Sequence, residues 1–139
     1  MPMTEIYLMF DGTCEAAMRF YEKTLDGKLE ILLRHGDSPM AERCAPADKD
    51  RIMHSRLLFD GGSLMATDGR PGGEGGAMKG FSIALSYDTV ADATRVFNAL
   101  AEGGEVRMPL QKTFWAEAFG ALVDRYGTPW MINGALAKM

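Results

Sequence analysis

The chain is short of the residues that would mark it early as a metalloprotein or a disulfide scaffold. It has two cysteines, Cys14 and Cys44, and two histidines, His35 and His54, in 139 residues. Two cysteines cannot frame a disulfide-built fold, and two histidines are few for a metal centre. No apolar run approaches the ~20 residues needed to cross a bilayer as a helix. The N-terminal stretch Met1-Pro2-Met3-Thr4-Glu5 lacks the basic start and apolar core of a secretory signal. The net charge is −4, and the Lys and Arg residues are scattered. That pattern excludes the clustered basic face of a nucleic-acid binder. With 47% hydrophobic and 24% charged residues, the composition is neither disordered nor low-complexity. The sequence therefore predicts one cytoplasmic domain over residues 1–139, with no membrane and no nucleic-acid partner.

Methionine is abundant, with 11 residues. Its side chain fills irregular apolar space and recurs on surfaces that accept varied ligands. An internal repeat is the stronger signal. When Ile6 is laid on Ile83, Leu8 falls on Leu85, Phe10 on Tyr87 and Asp11 on Asp88. Glu15, Ala16 and Phe20 then fall on Asp92, Ala93 and Phe97, and Gly27, Leu29 and Ile31 on Gly104, Val106 and Met108. Such self-similarity fixes an architecture before any single residue does. The modules run from about 1 to 68 and from about 79 to 139. A stretch from Asp68 to Gly80 with six glycines joins them. It lacks the Gly-Lys-Ser/Thr ending of a phosphate loop, so it reads as a linker.

Each module opens with an alternating strand, Ile6, Leu8, Phe10 against Glu5, Tyr7, Met9, and Ile83, Leu85, Tyr87 against Ser82, Ala84, Ser86. A helix follows, with Thr13 or Asp11 able to cap the first and Thr89 with Asp92 starting the second. The apolar stripes are Ala17, Phe20, Tyr21, Thr24 and Ala93, Val96, Phe97, Leu100. Gly27 and Gly103-Gly104 end the helices. Three strands complete each module, at about 28–34, 52–59 and 63–67, and at about 105–110, 119–123 and 129–133. The fold class is α+β. Met65 and Met131 become equivalent, and the longer loop 35–51 accounts for their uneven spacing.

The particular wording carries a family likeness. It lies in Tyr7-Leu8-Met9-Phe10-Asp11-Gly12, Ala17-Met18-Arg19-Phe20-Tyr21, Gly36-Asp37-Ser38-Pro39-Met40 and Ile52-Met53-His54-Ser55-Arg56-Leu57. It continues in Leu64-Met65-Ala66-Thr67-Asp68, Thr113-Phe114-Trp115, Phe119-Gly120 and Asp124-Arg125-Tyr126-Gly127-Thr128-Pro129-Trp130-Met131-Ile132-Asn133. Over nearly its whole length the chain resembles the PhnB-like branch of the vicinal-oxygen-chelate superfamily, the glyoxalase and bleomycin-resistance fold. The resemblance implies tandem βαβββ modules forming a curved mixed sheet, with a ligand cup on the concave face. It also implies a homodimer, and the loop 35–51 could reach a neighbour. Some PhnB-like proteins bear a name relating them to a ubiquinone-pathway methyltransferase, but this chain shows no strand, Gly-rich loop and helix of nucleotide-binding type.

In metal-dependent members of that superfamily, each first strand and each last strand supplies a ligand. The resemblance puts Glu5 and Ser82 on the first strands, and Met65 and Met131 on the last. Thioethers are poor ligands for hard divalent ions, so the expectation is no metal site and no cofactor.

A two-residue turn at Gly61-Gly62 would pair Leu58 with Met65 and set His54, Arg56, Leu58 and Met65 on one face. On the family plan this is the concave face. The candidate pocket is then His54, Arg56, Leu58, Met65, Ser82, Phe114, Trp115 and Met131. Phe114 and Trp115 form a flat wall, His54 and Arg56 are the orienting groups, and Glu5 alone opposes Arg56. Trp130 and Ile132 have the opposite parity and belong to the core. Cys14 reads as a structural thiol. These residues point to a metal-free protein binding a small aromatic or conjugated ligand with an anionic or acceptor group. The alternatives are an enzyme with His54 as its acid or base and a metal-dependent glyoxalase-like lyase or dioxygenase. Whether a reaction is catalysed stays open at this point.

Overall fold

The computed structural model describes residues 1–69 and 77–138. Most of the glycine-rich joining stretch therefore lies outside the described residues. The chain divides into two compact units, Met1–Gly76 and Ala77–Met139.

The first unit runs β1 (Ile6–Met9), α1 (Cys14–Thr24), β2 (Lys28–Arg34), β3 (Ile52–Phe59) and β4 (Gly62–Thr67). Its sheet order is β1-β4-β3-β2, with β1 parallel to β4 and the other pairs antiparallel. The second runs β5 (Ile83–Tyr87), α2 (Val90–Ala101), β6 (Glu105–Gln111), β7 (Ala116–Val123) and β8 (Pro129–Leu136). Its order, β5-β8-β7-β6, repeats the first. Ile6 lies beside Leu64, and its counterpart Ile83 beside Trp130. Each unit is thus a mixed four-stranded sheet with a helix on one face. Strands β7 and β8 are longer than their sequence signal, because Ala116 and Leu136 extend the ladder.

On the helix side of the first sheet Ser55, Leu57, Leu64 and Ala66 are buried with Cys14, Ala17, Met18 and Tyr21 of α1. In the second unit Leu122, Trp130 and Ile132 are buried with Ala93, Val96, Phe97 and Leu100 of α2. Full burial of each large apolar side chain stabilises by about 1.5–3 kcal/mol. Trp130 and Ile132 thus sit in the core, as their parity requires.

The gapless repeat fails in the helices. Ala16 is exposed and Phe20 only half-buried, whereas Ala93 and Phe97 are buried. The core-facing partners are Ala17 with Ala93 and Tyr21 with Phe97, one residue out of step with the strands. Register returns at the helix ends. Asp26 and Gly103 both take positive φ (53° and 76°). The residues after them make the close approach: a Cβ on Gly27 would stand 2.5 Å from the Leu58 carbonyl oxygen, and one on Gly104 2.3 Å from that of Val123.

Capping of α1 also departs from the sequence reading. Neither Thr13 nor Asp11 caps it with a side chain. The buried carboxylate of Asp68, at the end of β4, accepts from the backbone N–H of Gly12 (2.8 Å), Cys14 (2.9 Å) and Ile52 (2.9 Å). Thr89 caps α2 as its sequence implies, accepting from the Asp92 N–H at 3.1 Å. The loop 35–51 forms three 3₁₀ turns and closes at its base, where His35 N–H donates to Arg51 and Gly36 N–H to Lys49.

Candidate functional site

The hairpin between β3 and β4 turns at Asp60-Gly61, not Gly61-Gly62, so Leu58 faces Ser63 and Arg56 faces Met65. The expected register was two residues off. An even slip preserves parity, so His54, Arg56, Leu58 and Met65 still share the face opposite α1. All four are half-buried there. β1 adds Tyr7 beside Met65, and β2 adds Ile31 opposite Arg56 and Leu33 opposite His54.

Two polar groupings occupy this open face. The Arg56 guanidinium lies 3.1 Å from the carboxylate of Glu30 and 3.4 Å from that of Glu5. Glu5 also accepts from the Ser63 hydroxyl at 3.2 Å. Glu5 is therefore not the sole counter-charge. A bulge in β2 between Leu29 and Ile31 sets Glu30 against Arg56. The second grouping is Tyr7 and His54. The phenol oxygen lies 3.2 Å from His54 Nδ1, with the ring centroids 5.8 Å apart. Burial raises the Tyr7 phenol above its ordinary pKa, with a smaller push from Cys14 and an opposing hydrogen bond from Thr67.

On the second sheet the open face carries Ala84, Ser86, Ala121, Met131 and Asn133. Trp115, in the turn before β7, donates from its indole N–H to Asn133 Oδ1 at 3.1 Å. Its ring meets Phe119 edge-on at 5.1 Å and Phe114 at 4.9 Å. Phe119 pairs with Asn133 across the ladder, so Trp115 stands on the Met131 side. Phe114 itself is 79% exposed, and Ser82 lies exposed just before β5. Tyr7 and Glu30 on the first open face, and Phe119 and Asn133 on the second, contact the candidate residues and were missed by the sequence reading. The alternation of β1 already placed Tyr7 with Glu5, which was a usable signal.

A groove of about 650 Å³ runs between α2 and strands β6 and β7, lined by Val90, Phe97, Val106, Leu110 and Ala118. It lies on the helix side of the second sheet, away from Trp115 and Met131. We place the candidate site on the open faces, because the first carries imidazole, phenol and guanidinium groups and the second an anchored indole.

Cys14 is fully buried, 3.5 Å from the Ser55 hydroxyl. Burial pushes its thiol up to about 12, against the Ser55 hydrogen bond and with added repulsion from Asp68 and Glu15. A helix N-terminus ordinarily favours a thiolate, but desolvation prevails here.

A family model described as 3-demethylubiquinone-9 3-methyltransferase matches residues 3–133. The chain belongs to this PhnB-like family. It is 34% identical over 141 residues to Protein YjdN of Escherichia coli, covering 96% of this chain and 95% of that one. The crystal structure of protein PA1353 from Pseudomonas aeruginosa matches with a TM-score of 0.86 and 48% identity, over 96% of this chain and 97% of that one. A putative 3-demethylubiquinone-9 3-methyltransferase, PhnB protein, from Bacillus cereus matches with a TM-score of 0.80 and 25% identity, over 95% and 98%. More distant neighbours include a glyoxylase/bleomycin resistance protein/dioxygenase domain from Frankia sp. EAN1pec (TM-score 0.61, 18% identity, 96% of each chain), which shares the fold.

The superfamily's metal-ligand places hold a poor donor set in this PhnB-like chain. Met65 and Met131 stand at equivalent points, beside Tyr7 and Ala84. Of the other two, Ser82 is a weak donor, and Glu5 is engaged with Arg56 and Ser63. These residues do not fit a hard divalent ion. Among the described residues no group of three or more His, Cys, Asp or Glu side chains is arranged to hold a metal.

Proposed function

We propose that this PhnB-like protein binds a small aromatic or conjugated molecule on its open sheet faces, without a metal. The residues proposed for it are His54, Arg56, Leu58 and Met65, joined by Tyr7, in the first unit, and Ser82, Phe114, Trp115 and Met131, joined by Asn133, in the second. The observation that carries this reading is Trp115. It is half-buried, held at its indole nitrogen by Asn133, and stacked edge-on with Phe119. An indole fixed in that way is a ready surface for a flat ligand, with little ordering entropy left to lose. Met65 on the first open face and Met131 on the second each supply adaptable apolar surface.

The polar end of the ligand is an anionic or acceptor group. Arg56 already carries two carboxylates, so an anion there competes with Glu5 and Glu30. Among the described residues His54 is in no ion pair, and it is the group we assign to the ligand's acceptor. A thermal-shift screen of aromatic acids, ketones and amides tests the reading. Binders should raise the melting temperature of the wild type and of Trp130→Ala, though the latter starts lower. They should fail to raise that of Trp115→Ala. Equal shifts in wild type and Trp115→Ala, or binding that requires a stoichiometric divalent metal, would overturn it.

A second reading has one observation in its favour. Tyr7 and His54, within hydrogen-bonding reach, form the kind of pair that transfers protons, so His54 could act as acid or base in a metal-independent enzyme. The methyltransferase of the family description finds no support in the two mixed sheets, which lack a doubly wound parallel arrangement.

The protein is further proposed to be a cytoplasmic homodimer. Tyr7, Met9 and Ile31 on the first sheet and Met108 and Met131 on the second are each more than a third exposed, which favours cover by a second copy. Cys14 and Cys44 are both free thiols, in keeping with a reducing compartment. Among the described residues no helix is long and apolar enough to cross a membrane.

A further inference from the structure

Tyr7 and His54 do not sit on neighbouring strands. Strand β4 lies between β1, which carries Tyr7, and β3, which carries His54. The phenol spans β4 to bring its hydroxyl 3.2 Å from His54 Nδ1. Phenylalanine would cover the same apolar surface, so the hydroxyl itself needs a reason.

Its protonation supplies one. An ordinary phenol is protonated at neutral pH, and burial raises Tyr7 further, so its O–H is a donor. Neutral imidazole has one acceptor nitrogen and one N–H. If Nδ1 accepts from Tyr7, the proton must reside on Nε2. We infer that Tyr7 is a positioning residue that fixes His54 as the Nε2–H tautomer, so that this site takes ligands bearing an acceptor oxygen or nitrogen and rejects donor-only ones. This rests on the open face being the ligand site. It goes beyond that reading by assigning the polarity of recognition and the residue that sets it.

The test separates the two ideas. The side-chain nitrogen resonances of His54 are recorded by NMR at about pH 8, above the usual imidazole range. Wild type should show a single tautomer with the proton on Nε2. Tyr7→Phe, which keeps the ring and loses only the hydroxyl, should show a mixture. Acetophenone and benzoate, which offer acceptors, should perturb the Nε2 resonance, and benzylammonium should not. Tyr7→Phe should bind acetophenone roughly three- to tenfold more weakly, the worth of one neutral hydrogen bond. The same tautomer in wild type and Tyr7→Phe overturns the inference, whether or not any compound binds. Benzylammonium binding as tightly as acetophenone overturns it too. A tautomer that depends on Tyr7, with no response to any of the compounds, supports the positioning role and overturns the open-face ligand reading instead.

Discussion

Cys14 shows how two local effects can oppose each other at one residue. It opens α1, where the helix dipole favours an anion, yet its thiol is driven up to about 12 because burial outweighs that field. An alkylating reagent should therefore label Cys44 and spare Cys14 in the native protein at neutral pH, and label both in denaturant, as counted by mass spectrometry. The same shift has a consequence for stability. A thiol whose folded pKa is raised above its unfolded value stabilises fully below the unfolded pKa, and that contribution is lost as pH rises toward the folded one. Tyr7 and Tyr87, also raised chiefly by burial, act in the same direction. The melting temperature should fall between about pH 9 and 12, and Cys14→Ala should flatten the fall. A slope identical to wild type would show that Cys14 ionises freely. At this scale the sequence was an uneven guide. His54, Arg56, Leu58 and Met65 were legible as one face because only their parity mattered. Tyr7 was not joined to His54, since its reach depends on side-chain length across an intervening strand. Glu30 required the β2–β3 register, which a long loop leaves undetermined.

The elements are held by close backbone approaches more than by their propensities. Gly27 and Gly104 follow the two helices and lie against the carbonyl oxygens of Leu58 and Val123. Gly104→Ala should force the chain away from β7 and cost about 1–3 kcal/mol, the usual penalty for overfilling a packed site. Gly127, at φ +91° with open space around it, should cost only about 1 kcal/mol on substitution by alanine. Chemical denaturation of the two variants checks the order, and a larger loss at Gly127 would contradict it. The strands and helices were readable from alternation and stripes, because each element packs one face only. The N-cap of α1 was not readable. It comes from Asp68, distant in sequence, and no local pattern announces a carboxylate that folds back from the end of β4.

For the whole molecule, the duplicated order β1-β4-β3-β2 and β5-β8-β7-β6 was visible as self-similarity, since a repeated fold requires repeated spacing of its turns. Assembly follows from the exposed apolar side chains of the two sheets. Light scattering at micromolar concentration should give about twice 15.2 kDa, and a monomer would remove the proposed homodimer.

The one-residue lag between the helices limits how far the two halves can be exchanged. A helical residue turns the side-chain direction by about 100°. Grafting α2 onto the first unit at the spacing shared by β1 and β5 would therefore swing Ala93 and Phe97 a quarter-turn or more from the places of Ala17 and Tyr21. A chimera built at that spacing would present its stripe to water, and adding one residue to the preceding turn would restore it. Although the halves share a plan, they are no longer spare parts for each other.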